Sequence, residues 1–266
     1  EQEARREDAA RDAFQRGDIE QSRLVHEQCR TETGHGVMPT RTRQAFIAAA
    51  SAVSVVTASV IAAGSGMDAD PVRIVTAAAS FAVLLGIVLA VVSAVEFHEL
   101  ETFRAREKRR EAWELDNYPE GEKREMVEIF MDRGVSERDA RALINIMSRY
   151  KSFFIEVMMV EELGIMRSPA SDTATRVASA VLVSCLLSSA LPLILYGIYV
   201  AIDPSFDWGV YAAVAGATAQ SVALGLLRAR TYFQRPLASV SRCLLLLFVC
   251  VGCAYALGDA WHRHAE

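Results

Sequence analysis

Hydrophobic and polar positions in this chain are sorted into long blocks rather than interleaved at a single helical or strand period. Five blocks are apolar: Ala45 to Gly66, Val72 to Val95, Val177 to Ile202, Trp208 to Leu227 and Leu237 to Leu257. At about 1.5 Å of rise per residue, a helix of roughly 20 residues crosses a hydrocarbon core of about 30 Å. The blocks therefore predict five transmembrane helices. The first is filled with Ala, Ser, Thr and Gly, residues that let helices approach closely where lipid offers no hydrophobic drive for association. Ser65 to Pro71 is too short for anything but a turn, so the second span returns antiparallel. No breaker follows Val95, and the second span is expected to run on through Glu96–Leu115 as a helix projecting from the membrane, until Asn117-Tyr118-Pro119. Pro192 predicts a kink in the third span, and Asp203-Pro204-Ser205 a turn after it. Trp208 and Tyr211 mark a membrane–water interface at the start of the fourth. Ala212-x-x-x-Gly216 is a helix-packing spacing of low specificity, and Arg228–Arg235 reads as a basic turn before the fifth span.

Two blocks are polar. Residues 1–43 are rich in Arg, Glu, Asp and Gln, with helix expected over Glu1–Gln28 and order ending at Gly34, Gly36 and Pro39. They lack the apolar centre of a signal peptide. The second polar block, Glu96 to Pro169, is an insert between spans two and three. Pro119 at a first-turn position starts a helix to Arg133, stopped by Gly134. Ser136 with Asp139 three residues on resembles a capping box for a helix to Ser148. A last helix, Ser152 to Leu163, ends at Gly164.

Composition matters because its average conceals this split. The 266 residues carry a net charge of −5 and a mean hydropathy of +0.19. Nearly all Lys and Arg fall in the N-terminal arm, the insert and the Arg228–Arg242 loop, whereas the short turns and the tail hold Arg73 and Arg263. The positive-inside rule then puts arm and insert in the cytosol and the C-terminus on the far side. The fold class is an all-α membrane protein with five transmembrane helices and a cytosolic helical insert between spans two and three. Its parts are a cytosolic arm (1–43), spans one and two (44–95), the insert (96–170), spans three to five (171–258) and a lumenal tail (259–266).

The insert holds the candidate chemistry. Residues three or four apart share a helix face, so Glu111 with Glu114, and Glu122 with Glu125, can each aim two carboxylates at one point. Met158 and Met159 likewise stand beside Glu162. Carboxylates with thioethers nearby suit a divalent transition metal better than magnesium or calcium. By pattern alone, a Glu-rich helix is also what a solvated face looks like, and paired Met is also ordinary packing.

The stretch MVEIFMDRGVSERDARALINIMSRYKSFFIEVMMVEELGIMRSP (residues 126–169), followed by SALPLILYGIY (residues 189–199), resembles the vacuolar iron transporter family over about Arg43 to Leu257. The resemblance implies a homodimer that moves Fe²⁺ or Mn²⁺ from the cytosol into a vacuole or similar endomembrane store in exchange for protons. It implies no enzyme activity. It also implies a cytosolic metal-binding domain built on two Glu-x-x-Glu pairs, a Met-Met pair and a following Glu. Matched residue by residue, these are Glu111, Glu114, Glu122, Glu125, Met158, Met159 and Glu162, which would bind Fe²⁺, Mn²⁺ or Zn²⁺. No organic cofactor is implied. A dimer interface is expected at the spans rich in small residues.

The membrane half departs from that family. Where the first span normally carries an Asp, this chain has Ala52 within Ser51-Ala52-Val53. Where the second normally offers a Glu and, two turns on, a Met, it has Phe81 and Leu89. No acid lies between Ala45 and Gly66 or between Val72 and Val95. Intramembrane acids are costly and functional where they occur, so a second reading is a transport-impaired relative that acts as a membrane-anchored metal-binding or regulatory protein. A third is a structural membrane protein whose Glu clusters are only surface.

Lesser signals are His98, Glu99 and Glu101 at the exit of span two, Cys250-x-x-Cys253 inside span five, and His262 with His264 in the tail. The helix start, apolar packing and a terminal His-x-His account for them without a ligand. Cys29, Cys185 and Cys243 show no ligand spacing. No glycine-rich phosphate loop implies ATP drive, no nucleophile–base pair is apparent, and the acidic balance argues against nucleic acid.

Overall fold

The computed structural model describes residues 16–28, 40–168, 172–202 and 208–265; Cys29, Gly34, Gly36, Pro39 and the Asp203-Pro204-Ser205 turn lie outside them. The chain divides into residues 1–39 and 40–266. The first unit contributes one described helix, α1 (Ile19–Gln28), on which Ile19 and Leu24 are exposed. In the second, α2 (Arg41–Gly66), α3 (Pro71–Asn117), α7 (Ala174–Ile202), α8 (Gly209–Tyr232) and α9 (Pro236–Ala265) are long and apolar enough to cross a membrane. Between α3 and α7 lie the short helices α4 (Pro119–Asp132), α5 (Glu137–Met147) and α6 (Lys151–Glu161). Every described element is helical, so the all-α membrane class holds.

α2 is the centre of the bundle, packed against α3, α7, α8 and α9. Its small residues are why: Ala58 and Ala62 are fully buried, and a Cβ on Gly66 would lie 2.4 Å from the Tyr255 carbonyl oxygen of α9. The small faces expected to join two protomers thus pack inside the chain. The same is true of the fourth span, where Gly216 lies against Leu191 and Leu195 of α7.

α3 runs unbroken for 47 residues, about 70 Å at the rise of an α-helix. Asp70 caps it through the Arg73 N–H, and Pro71 sits in its first turn, where the missing N–H is no loss. Its buried positions Ile74, Ala78, Ala82, Gly86 and Ala90 recur every four residues and line up as one stripe, with Gly86 against Cys185 of α7. Beyond Glu96 the same helix becomes the polar stalk of the insert. The foot of α2 is tied to the strap before α7, because Asp172 accepts the Arg41 N–H and the Thr42 hydroxyl, both at 2.7 Å.

Several ends differ from the sequence-based bounds. α8 continues through Arg228 to Tyr232 and stops where Phe233 turns left-handed, so the basic turn is shorter than expected. α9 continues past Leu257 to Ala265. Gly258 permits this, lying so close to α2 that a Cβ would be 2.3 Å from the Ala63 carbonyl oxygen. Its last turn carries His262, Arg263 and His264, favourable at a helix C-terminus. α7 passes through Pro192 as one helix.

In the insert, Ser136 accepts the Asp139 N–H at 3.2 Å and donates its hydroxyl to the Asp139 carboxylate at 2.7 Å. Leu115, Met126, Val127, Ala140, Ile144, Phe154, Ile155, Met158 and Met159 form its apolar core, drawn from α3, α4, α5 and α6.

Candidate metal centre

The centre begins with the reversal between α3 and α4. Tyr118 leaves the helical region and Pro119 opens α4, which folds back along the stalk. The exposed Tyr118 ring lies over Gly121: a Cβ there would lie 1.9 Å from the ring, which would have to swing away to admit it. The reversal brings Glu122 to Glu111 and Glu114. One carboxylate oxygen from each of the three lies within 4.8 Å of the other two, the one such group of His, Cys, Asp or Glu among the described residues.

Burial makes this group unusual. Glu111 is fully buried and Glu122 is 9% exposed, although isolated carboxylates are rarely desolvated. Burial raises the Glu111 carboxyl above its ordinary range; Arg110 opposes this, and the charges of Glu114, Glu122 and Glu125 add to it. Burial likewise raises Glu122, reinforced by Glu114 and Glu125. Glu162 is pushed up to about 7, by burial first and then by Glu111, Glu125 and Glu122. Five of the seven sequence-identified residues are thus joined in one electrostatic cluster, with Glu125 on its exposed side. Glu162 sits just beyond α6, its N–H donating to the Met158 carbonyl, and Gly164 turns left-handed after it.

Met158 and Met159 are fully buried in the insert's core beside Phe154 and Met126. Their burial alone is what packing demands, and it also sets them three and four residues before Glu162.

Two features escaped the sequence reading. Arg110 donates to Glu111 at 2.8 Å, to Glu114 at 3.4 Å and to Glu107 at 2.9 Å, so a fixed cation already partly neutralises the cluster. Glu107, one turn earlier, is half-buried; desolvation opposes its ionisation, yet hydrogen bonds from Arg110 and Arg106 hold its carboxyl below the ordinary range. On a stalk this dense in charge, spacing alone does not single out one Arg.

The donor set fits a divalent cation. Glu111 Oε2 and Glu162 Oε2 are buried without a hydrogen-bond partner, which leaves acceptors desolvated unless a positive group meets them. Clustered carboxylate oxygens with raised proton affinity are what a hard or borderline dication displaces protons from.

The other candidates do not assemble. His98 and Glu99 are exposed, and Glu101 takes the Ser168 hydroxyl. Cys250 and Cys253 are free thiols, as are the buried Cys185 and Cys243. In the bundle, hydroxyls turn back on their own helices: Thr57 to Val53, Ser184 to Val181, Ser188 to Cys185 and Ser189 to Leu186. Ser54 reaches across to Gln220 at 3.3 Å. Phe81 faces outward, 57% exposed. Ala52 and Leu89 line a cavity of about 510 Å³ at the foot of α2 and α3, where Glu96 is the one carboxylate.

A vacuolar iron transporter of Toxoplasma gondii is 39% identical over 171 residues, covering 59% of this chain and 55% of its own length. One of Plasmodium berghei is 28% identical over 201 residues, 71% of each chain. One of Plasmodium falciparum is 48% identical over 64 residues, 24% of this chain and 23% of its own. The chain spans about half the length of the first of these relatives. The model of the VIT family matches residues 28–259, which takes in all five membrane-length helices and the insert: the chain belongs to the VIT family.

Proposed function

We propose that the chain is a membrane transporter of iron, taking Fe²⁺, and Mn²⁺ as a second cargo, from the cytosol into a vacuole-like store in exchange for protons. The observation that carries this reading is the buried Glu111–Glu114–Glu122 triad on a stalk continuous with a membrane-length helix. In it the insert faces the cytosol and collects the ion. Glu111, Glu114, Glu122, Glu125 and Glu162 supply oxygens, and Met158 and Met159 supply thioethers that favour a transition metal. The raised proton affinity of Glu162 makes loading and proton release reciprocal at near-neutral pH. The relatives named as vacuolar iron transporters support the cargo and the compartment. The homodimer rests on the family resemblance. The proposed topology puts a tag at Arg133 and a tag at Ala265 on opposite sides of the membrane.

One observation favours a second reading. The cavity lined by Ala52 and Leu89 receives no acid from α2, and its one carboxylate is Glu96 on α3. A dication there meets one carboxylate with Arg41 opposing it, and between Ala45 and Gly66 or Val72 and Val95 it meets no acid, at a large desolvation penalty. A metal-binding protein anchored in the membrane fits this better. Sealed proteoliposomes loaded with an Fe²⁺ indicator decide between the two. Transport predicts uptake that rises with an outward proton gradient and falls in Glu122→Gln, and it predicts faster uptake in Ala52→Asp. Binding without uptake in the wild type would refute transport and leave the anchored binder.

A further inference from the structure

Apart from the carboxylate triad, the stalk and the start of α6 line an open cavity of about 870 Å³, within the range of small-molecule sites. Arg104, Lys108, Lys151 and Arg167 line it, against Glu101 and Glu156. The cations converge on one acid. Glu156 accepts from Arg104 at 3.1 Å and from Lys108 in a closer pair, and Arg167 lines the same wall. Lys151 pairs with Asp116 at 2.5 Å, and Glu101 takes the Ser168 hydroxyl. Three cations around one carboxylate leave an excess of positive charge inside a concave wall. Tyr150, the N-cap of α6, makes no side-chain capping bond, so the first-turn N–H groups of an 11-residue helix add their positive end to the same wall.

We propose that this cavity binds a phosphomonoester group, with Arg104, Lys108 and Arg167 as its ligands and Glu156 as an internal anion that holds them in place until it arrives. Arg and Lys on three sides match the spread oxygens of a phosphate dianion better than a single carboxylate does. The size of the cavity admits more than one phosphate. The phosphate has two possible sources. Of the ligands on the stalk, Arg104 stands nine residues past the end of the apolar run and Lys108 thirteen, about 14 and about 20 Å along the helix. Headgroups occupy roughly the first 5–8 Å outside the hydrocarbon, so only a headgroup whose extra phosphates extend beyond that zone reaches the cradle from the bilayer. A soluble phosphorylated metabolite reaches it from the water.

The test uses the full chain in lipid nanodiscs with three probes: pyrophosphate, soluble inositol trisphosphate, and phosphatidylinositol bisphosphate placed in the disc against phosphatidylserine discs of equal charge. Binding is expected to weaken at least tenfold in Lys108→Gln/Arg167→Gln, where Arg104 still holds Glu156, and to weaken with added salt. Glu156→Gln, which removes the internal anion and not the cations, is expected to tighten binding several-fold, so the two variants move in opposite directions. Tighter binding of the lipid in the disc than of the soluble headgroup assigns the ligand to the membrane, and the reverse order assigns it to solution. Absence of binding for all three probes, or equal affinity in wild type and both variants, overturns the proposal. None of these substitutions touches the carboxylate triad, so failure here leaves the transport reading standing.

Discussion

Glu162→Gln separates what the carboxylate cluster does for the fold from what it does for a metal. In the apo insert, the Glu162 carboxyl titrates at about 7 instead of 4.5. Between those values the folded chain holds a proton that the unfolded chain has released. Its contribution to stability is therefore complete below pH 4.5 and is lost as pH rises through about 7. At about 1.4 kcal/mol per unit, the shift corresponds to at most about 3.5 kcal/mol, and solvent at this partly exposed position reduces it. Gln keeps the shape and removes the charge. Above pH 7.5 the apo variant should be more stable than wild type, and at pH 5 the two should converge. Metal binding should move the other way. Below pH 7, loading wild type must expel the Glu162 proton, so the dissociation constant should rise about tenfold per pH unit. The slope should steepen as Glu111 and Glu122, also raised, join in. The variant should bind Fe²⁺ more weakly at pH 8 and show a slope shallower by about one proton. Hydrogen exchange of α4 and α6 in the full chain, corrected for intrinsic rates, reads the stability; Fe²⁺ titration of the same samples reads the affinity. Equal stability at pH 8 together with an unchanged pH slope would refute the placement of Glu162 in the cluster.

The remaining expectations rest on neighbouring contacts. Glu122→Gln should weaken Fe²⁺ binding by tenfold or more and Glu125→Gln by less, since Glu122 is buried in the triad and Glu125 is exposed; equal losses in titration would place Glu125 as a ligand of the same rank. Arg110→Gln should tighten Fe²⁺ binding several-fold at pH 8, because the cation competing for Glu111 and Glu114 is gone; weaker binding would mean that Arg110 orients the carboxylates rather than competing with a metal. Gly258→Ala should lower the melting temperature of the detergent-solubilised chain, since its methyl would meet the Ala63 carbonyl and force α2 and α9 apart at a cost of about 1–3 kcal/mol. Gly252→Ala, with open space around it, should not.

The spans were legible because lipid removes water as a hydrogen-bonding partner, so length and the absence of charge suffice to predict a helix. The unbroken passage of α3 from bilayer to stalk was legible for a similar reason: no residue between Val95 and Asn117 interrupts it. Helix ends were less so. Phe233 ends α8 by turning left-handed, which a bulky residue seldom does, and Gly258 continues α9 because Ala63 lies against it. Spacing gave each Glu-x-x-Glu pair its common face, but spacing cannot show that Tyr118 folds over Gly121 to lay Glu122 against Glu111. Nor does it distinguish Arg110 among the charges of the stalk, since only burial of its partners makes one cation more important than another. The Met pair marks the limit. A buried thioether packs as well as it ligates, and Met158 and Met159 fill the core where Phe154 and Met126 do the same. The membrane half shows the reverse case, a signal that is clear because it is missing. Phe81 faces outward, while Ala52 opens on a cavity whose one carboxylate is Glu96. The chain therefore gathers its clustered carboxylates in the insert, where Arg110 limits the penalty of holding charge together, and keeps its apolar spans free of acids.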